Sequence, residues 1–322
     1  MEDTYHIPVL GAETVDWLVQ DPGGTYVDAT VGGGGHAEQL LERLGESGRL
    51  IGMDRDPEAI GAATSRLARF GSRFEAVQAP FWNLPEVLRS RGVGPLAGVL
   101  FDLGVSSHQI DAAQRGFSFQ QDGPLDMRMG PDAALPAEEV VNEYDRRELL
   151  RVFKEYGEER ASRRIADAIC RRRTEEPIRT TLELARIVRG AAGGSHPQKA
   201  LARVFQAIRI EVNDELSRLK EALASAIDLL EAGGRLAVLS YHSLEDRTVK
   251  QTFREAALGC ICPTDMPVCG CGRKPRLRIL TQKGRKASST ELAENPRARS
   301  ATLRVAERTA ETDGPPAPGQ AR

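Results

Sequence analysis

Between Tyr26 and Pro57 the chain reads YVDATVGGGGHAEQLLERLGESGRLIGMDRDP, and this stretch holds the side chains best placed for chemistry. Gly32 to Gly35 lack a Cβ, so the backbone there can turn sharply and approach a ligand closely. Asp54 stands where a second strand should end and can accept hydrogen bonds from ribose hydroxyls. Asp28, at the end of the first strand, would repel a pyrophosphate but can hold the cationic amino group of a methionine moiety. The loop also aligns as Gly32-x-Gly34-x-x-Ala37, a dinucleotide signature, although four successive glycines satisfy nearly any glycine pattern. Asp28 therefore shifts the choice from NAD to S-adenosylmethionine. Its alternative role is to cap the loop or the following helix, as short polar side chains often do.

A second group is Cys260-x-Cys262 and Cys269-x-Cys271 in CICPTDMPVCGCGRKP, close enough for four thiolates to surround one tetrahedral, structural zinc ion. Because C-x-C pairs are less diagnostic than C-x₂-C pairs, reduced thiols without metal are the alternative. Cys170, alone on a helical pattern, reads as a packing residue. Five cysteines, four of them crowded together, do not resemble a secreted disulfide framework.

These groups need elements to hold them. The Tyr26–Pro57 segment reads as strand, glycine loop, helix, strand, and DPEAIGAATSRLARFG continues as a helix with Asp56 as N-cap and Pro57 at its first position. A third strand is expected at 73–81, a short helix at PEVLRSRG, and a fourth strand at 97–107 whose apolar run suits the middle of a parallel sheet and whose end carries Asp102. The next such strand, at 234–243, follows only after more than a hundred residues, far beyond a βαβ crossover of roughly thirty, so a domain is inserted. The insert has helical stretches at DRRELLRVFKEYGEERASRRIADAICRRR and TTLELARIVRG, then a long one from Pro197 to about Glu231. In the last, Leu201, Val204, Phe205, Ile208, Val212, Leu216, Leu219, Leu223, Ile227 and Leu230 form an apolar stripe running from the insert back to the sheet. RLRILT and SATLRVAER supply the last two strands of a seven-stranded sheet, and the proline-rich tail is too polar to pack.

At 322 residues and 40% hydrophobic content the chain suits a soluble α/β protein with one large core or two modest ones. No signal-like N-terminus or bilayer-length apolar run is seen, which points to the cytoplasm and no membrane partner. The net charge of −2 hides an asymmetry: residues 1–142 carry −11, residues 143–209 carry +6 and residues 272–308 carry +8. Arginines such as Arg163, Arg164, Arg171, Arg276 and Arg278 suit a polyanionic partner, the alternative being solvated helix and strand faces.

The segments DATVGGGGH (28–36), DRDP (54–57), DLGVSSHQ (102–109), RGFSFQQDGPLDMRM (115–129), YGEERASRRIA (156–166), FQAIRIEVNDEL (205–216), SYHSLEDR (240–247) and ENPRARSATLR (294–304) occur in that order. By these marks the chain closely resembles, nearly end to end, the bacterial 16S rRNA (cytosine-N4)-methyltransferases, the ribosomal small-subunit methyltransferase H family. The resemblance implies an α/β fold with a Rossmann-like, seven-stranded class I methyltransferase core (1–110 and 211–308), an inserted helical substrate-recognition domain (111–210) and an unpacked tail (309–322). It implies S-adenosylmethionine contacts at Gly34, Gly35, His36, Asp54, Phe81, Asp102 and Gln109. Phe81 could lie against adenine or be a core aromatic; His36 could equally be a polar residue at a helix start. The implied partner is 16S rRNA in the small ribosomal subunit, with a cytidine of the decoding region as target. The sequence leaves the choice between monomer and homodimer open.

For that reaction the cytosine amine, its lone pair delocalised into the ring, must be oriented and stripped of water, and in-line positioning against the methyl carbon supplies much of the acceleration. Asp102, at the carboxyl end of a central strand, is the first candidate to accept the amine N–H. Many amino-methyltransferases carry Asp/Asn/Ser-Pro-Pro-aromatic at this point; here Asp102-Leu103-Gly104-Val105 stands instead, so Asp102 serving the cofactor alone is the alternative. Other candidates for the target pocket are Ser106, Ser107, Phe117, Arg128, Ser240 and His242, against local hydrogen bonding for Ser240 and His242 and a surface ion pair for Arg128. Rival functions are a small-molecule methyltransferase, an NAD-dependent dehydrogenase, and an RNA-binding ribosome-assembly factor with a relic cofactor pocket.

Overall fold

The computed structural model describes residues 8–193, 197–262 and 270–310, without the side chains of Ser107 and His108. By its internal contacts the chain divides into two units, residues 1–104 with 218–322, and residues 105–217.

The first unit starts with helix α1 (Gly11–Leu18) and alternates strands and helices: β1 (Thr25–Asp28), α2 (Gly35–Arg43), β2 (Arg49–Asp54), α3 (Pro57–Leu67), β3 (Phe74–Gln78), α4 (Leu84–Arg91) and β4 (Leu96–Asp102). Asp56 caps α3 as the sequence predicts, accepting from the Glu58 N–H at 3.1 Å. Strands β3, β2, β1 and β4 lie side by side and parallel. The chain builds outward from β1 to β3, then returns to place β4 on the other side of β1, so the strand order reverses between β1 and β4. Crevices at such a reversal, beyond the carboxyl ends of the strands, are where open α/β sheets bind ligands.

The second unit contains α5 (Ser107–Asp111), α6 (Ala137–Glu143), α7 (Arg146–Glu155), α8 (Ser162–Arg173), α9 (Thr181–Ala192) and α10 (Pro197–Asn213). Reciprocal capping boxes, Asp145 with Glu148 and Thr180 with Glu183, start α7 and α9. Leu149, Phe153, Ile165, Ile169, Leu184 and Val204 are fully removed from solvent in its own core. Its limits lie six and seven residues outside the expected 111–210, as Val105 and α10 up to Val212 pack with this core.

The single long helix expected from Pro197 to about Glu231 is instead two, α10 and α11 (Glu215–Leu229). Asp214 between them takes φ 48°, a left-handed conformation that interrupts the helical ladder and that Asp tolerates better than most residues. The apolar stripe is correspondingly shared: Leu201 to Val212 belong to the core of the second unit, Leu219 to Leu230 to that of the first.

The first unit resumes with β5 (Leu230–Ser240), α12 (Ser243–Ala257), β6 (Leu277–Ile279), α13 (Ser289–Glu294) and β7 (Thr302–Arg308). The sheet has seven strands in the order β3-β2-β1-β4-β5-β7-β6, with β5 parallel to β4 and β7 antiparallel to both β5 and β6. This is the Rossmann-like seven-stranded core that the sequence led us to expect. Alternate residues feed two apolar layers: Val27, Ile51, Val99 and Val238 face one, and Tyr26, Leu50, Leu100 and Leu239 the other. Thr309, expected in the unpacked tail, is tied down by its N–H to the Arg276 carbonyl at 3.1 Å and its hydroxyl to the Pro275 carbonyl at 2.6 Å. Among the described residues no helix is long and apolar enough to cross a membrane.

Candidate active site

Three carboxylates stand at the carboxyl ends of neighbouring strands: Asp54 on β2, Asp28 on β1 and Asp102 on β4. Asp28 is 1% exposed. Its Oδ1 accepts the Thr30 N–H at 3.2 Å, so the loop-capping role is real, but its buried Oδ2 has no partner among the described residues. Burial pushes the Asp28 carboxyl up to about 7, an effect that Asp102 and Asp54 reinforce and His36 opposes. Asp54 is half-buried; its Oδ2 accepts from the Gly32 N–H at 3.0 Å and its Oδ1 from the Asp56 N–H at 2.9 Å. It therefore braces the glycine loop while each oxygen keeps one lone pair for a ligand. Burial raises its carboxyl to about 6 against these two hydrogen bonds.

The glycine loop leads into α2 through Gly34, which has φ 82° and lies so close to α3 that a Cβ would meet Leu67 at 3.3 Å and the Ala63 Cα at 3.4 Å. Glycine is required there on both counts. Within α2 the N–H groups of Gly35, His36 and Ala37 have no carbonyl one turn back to bond, so the helix start is a ready anion site.

His36 turns its ring inward. The side chain is 7% exposed, with Nε2 2.9 Å from the Val9 carbonyl and Nδ1 3.3 Å from Asp102 Oδ2. Burial works against its charge, but the Asp102 carboxylate outweighs that, with help from Asp28 and the Val9 carbonyl, and raises the imidazole to about 9. As a cation His36 donates from both nitrogens, which leaves its backbone N–H as the part able to face a ligand.

Asp102 is held on its other side too. Its Oδ1 accepts the Tyr241 hydroxyl at 2.7 Å, and its backbone N–H donates to Thr30 Oγ1 at 2.6 Å. Burial, then the Asp102 carboxylate, holds the Tyr241 phenol well above its ordinary range, so it stays a donor. Gly104, two residues on, has φ 96°, and a Cβ there would lie 3.4 Å from the Tyr241 ring. Tyr241 and Thr30 are the residues that sequence reasoning missed. The available signal for Tyr241 was that β4 and β5 run parallel with Asp102 opposite Leu239, which brings the residues just past Leu239 alongside Asp102.

The remaining candidates separate by what their side chains already do. Phe81 opens a short 3-10 turn after β3 and is half-buried, edge-on to Trp82 at 5.1 Å and to Phe101 at 5.8 Å between centroids. Ser240 is 1% exposed and donates to the Thr302 carbonyl across the sheet at 3.3 Å, so it works within the sheet. His242 is the N-cap of α12 in a capping box with Glu245, whose carboxylate also accepts from the Tyr241 N–H at 2.8 Å. It thus fixes the turn that carries Tyr241. In the second unit, Ser106 and Gln109 exchange hydrogen bonds at 3.1 and 3.0 Å, which is a Ser-x-x-Gln capping box at the start of α5 and a sequence signal that went unread. Phe117, expected near the target base, lies in the apolar core of that unit, and Arg128 forms a two-point ion pair with Asp126 at 2.9 and 2.7 Å. Ser107 begins α5, and its side chain lies outside the described atoms.

The family model described as the MraW methylase family matches residues 3–309. The chain belongs to the MraW methylase family. It is 50% identical over 311 residues to the ribosomal RNA small subunit methyltransferase H of Heliobacterium mobile, an alignment covering 94% of this chain and 99% of that one. The proteins of the same name from Trichlorobacter lovleyi and Carboxydothermus hydrogenoformans are 50% and 51% identical, covering 96% and 94% of this chain and 99% and 97% of theirs. Membership in this family of S-adenosylmethionine-dependent methyltransferases agrees with the charge of the site. Three carboxylates face one imidazolium, a balance that favours a cationic cofactor and opposes the pyrophosphate of a dinucleotide.

Two further features of this MraW-family chain are separate in sequence from the carboxylates. Cys260, Cys262 and Cys271 bring their sulfur atoms within 4.8 Å of one another, while Cys269 lies outside the described residues. Of the arginines expected to meet phosphate, Arg163 and Arg171 are exposed. Arg164 donates to the Ala192 carbonyl at 2.6 Å, Arg276 pairs with Asp228 and Arg278 pairs with Glu307 at 2.6 Å.

Proposed function

We propose that the protein transfers a methyl group from S-adenosylmethionine to the N4 amine of a cytidine in the decoding region of 16S rRNA, on the assembled small subunit in the cytoplasm. The observation that carries the cofactor half is the buried, unpartnered Asp28 Oδ2 beside the glycine loop. A buried carboxylate oxygen without a donor is costly, and a ligand ammonium group would satisfy it. In this reading Asp28 takes the methionine ammonium and the first-turn N–H groups of α2 take its carboxylate. The free lone pairs of Asp54 take the ribose hydroxyls, and Phe81 borders the adenine. Gly34, Gly35 and the backbone of His36 line the approach. The bound cofactor supplies a methyl group already activated by its sulfonium.

The rRNA half rests on the relatives, which are named as methyltransferases of small-subunit ribosomal RNA. Asp102 is the acceptor that orients the amine. His36 and Tyr241 each donate to one of its oxygens, which fixes the carboxylate plane and leaves a lone pair on each for the amine N–H. With the cofactor bound, its sulfonium would supply the methyl electrophile and leave as the neutral thioether, and Asp102 would take the proton that the methylated amine sheds. The basic segments of the helical unit and of residues 272–308 suit an RNA backbone.

The test is to incubate the protein with labelled S-adenosylmethionine and undermodified small subunits and to identify the product nucleoside by mass spectrometry. N4-methylcytidine at one position is the expected outcome. Label on a metabolite but not on RNA would make the enzyme a small-molecule methyltransferase, and tight subunit binding without label would make it an assembly factor.

A further inference from the structure

The connection between α12 and β6 runs over nineteen residues, 258–276, and no helix or strand occurs among its described residues. Connections of this length inside a compact unit need something to hold them. Among its described residues the large apolar side chains Leu258 and Ile261 are 50% and 58% exposed. The C-terminal end of the connection is tied back to α12: the Arg276 N–H donates to the Ala256 carbonyl at 2.7 Å, and the Arg273 guanidinium to the Glu255 carbonyl. Between those anchors and the end of α12, three cysteine sulfurs converge on one point.

We propose that Cys260, Cys262 and Cys271 bind a structural zinc ion that ties the two ends of this connection together. The sulfur atoms of Cys260 and Cys271 are 3.7 Å apart. Two thiolates on a tetrahedral zinc with bonds of about 2.3 Å stand about 3.8 Å apart, whereas a disulfide would bring them to about 2 Å. All three sulfurs lie within 4.8 Å of one another, so modest movement brings each onto a common centre. The Cys262 N–H points at Cys260 Sγ at 3.4 Å, a donor that stabilises negative charge on that sulfur as metal thiolates require. A fourth donor, such as a water molecule, completes the tetrahedron. Each ligating thiol gives up its proton when zinc binds, so occupancy falls in acid. The ion is remote in sequence from Asp28, Asp54 and Asp102, and its role is to hold the loop with its neighbours Arg273 and Lys274. The proposal does not rest on the methyl-transfer reading.

Full-length protein from zinc-replete medium, purified without chelator, should carry about one zinc per chain by elemental analysis. Cys260→Ser and Cys271→Ser should each cut the metal at least tenfold, while Cys170→Ser, outside the cluster, keeps it. Protease cleavage within 258–276 should rise when the metal is stripped, with S-adenosylmethionine affinity unchanged. Should a serine variant fail to fold, cobalt added to the metal-free wild type should give a sulfur-to-metal charge-transfer band. Wild type with no zinc and no such cobalt band, or a Cys260–Cys271 disulfide in non-reduced peptide mapping, overturns the site.

Discussion

Asn213 in the helical unit and Asp28 in the sheet unit are both nearly cut off from water, at 3% and 1% exposure, yet only one is satisfied. Asn213 Nδ2 donates to the Met127 and Arg209 carbonyls at 2.8 and 2.9 Å, and its Oδ1 accepts the Met129 N–H at 2.9 Å. It pins a segment in which Met127 has φ 56°, beside a helix break at Asp214. Asp28 uses one oxygen on Thr30 and leaves the other bare. A buried polar group whose bonds are all made serves the fold. One left with an open oxygen among like charges serves a ligand, because folding alone would not keep it.

If this contrast is right, the largest effect falls on stability at Asn213. Asn213→Ala leaves the Met129 N–H and Met127 carbonyl unpaired in the interior and should lower unfolding free energy by about 2 to 4 kcal/mol, with cofactor affinity intact in the folded fraction. Denaturant titration alongside calorimetry reads both. Asp28→Asn should do the reverse, weakening S-adenosylmethionine about ten- to hundredfold by calorimetry while leaving the apo protein as stable or more so. Equal behaviour of the two variants would abolish the distinction.

A pH series sharpens it. The folded carboxyl of Asp28 is raised from 3.8 to about 7, so its contribution to apo stability is fully present below about pH 4 and is lost as pH rises through 7, with Asp54 adding loss up to about 6. His36, raised to about 9, contributes stability that is present below its ordinary 6.5 and lost as pH climbs through 9. Cofactor binding should run against the Asp28 trend, weakening below pH 7 as the carboxyl protonates. Melting temperatures and affinities from pH 4 to 9 should show both slopes in the wild type. The Asp28→Asn variant should keep only the contributions from Asp54 and His36.

The smallest expected effect concerns the surface. Replacing the exposed Arg163 and Arg171 together by Gln should lower subunit affinity and reduce the salt slope by about 2, with cofactor affinity unchanged. An unaltered slope would mean that the positive charge of the helical unit is solvated and plays no part in holding RNA.

Much of this was legible in the chain. The glycine run followed by Asp54 announces the βαβ unit, since few other arrangements need four residues without side chains before a helix. The apolar runs ending in Asp102 and Ser240 mark central strands, and Asp56-Pro57 marks a helix start. The misreadings share one cause. The break at Asp214 and the core position of Phe117 are settled by what each residue packs or bonds with, and periodicity carries no trace of a single left-handed residue. In the same way Asp54 reads from sequence as a ligand residue alone, although it also holds the Gly32 N–H.

By itself the sequence determined the order of elements, the seven-stranded core, the insertion and which carboxylates end which strands, because these follow from local patterns of apolar and small residues. Only the tertiary structure decided what those carboxylates experience. Their ionisation depends on burial and on groups distant along the chain: His36 bridging Val9 to Asp102, and Tyr241 reaching Asp102 from another strand. Desolvation and pairing are properties of a place in space, and here that place is made where β1, β4 and β5 come side by side.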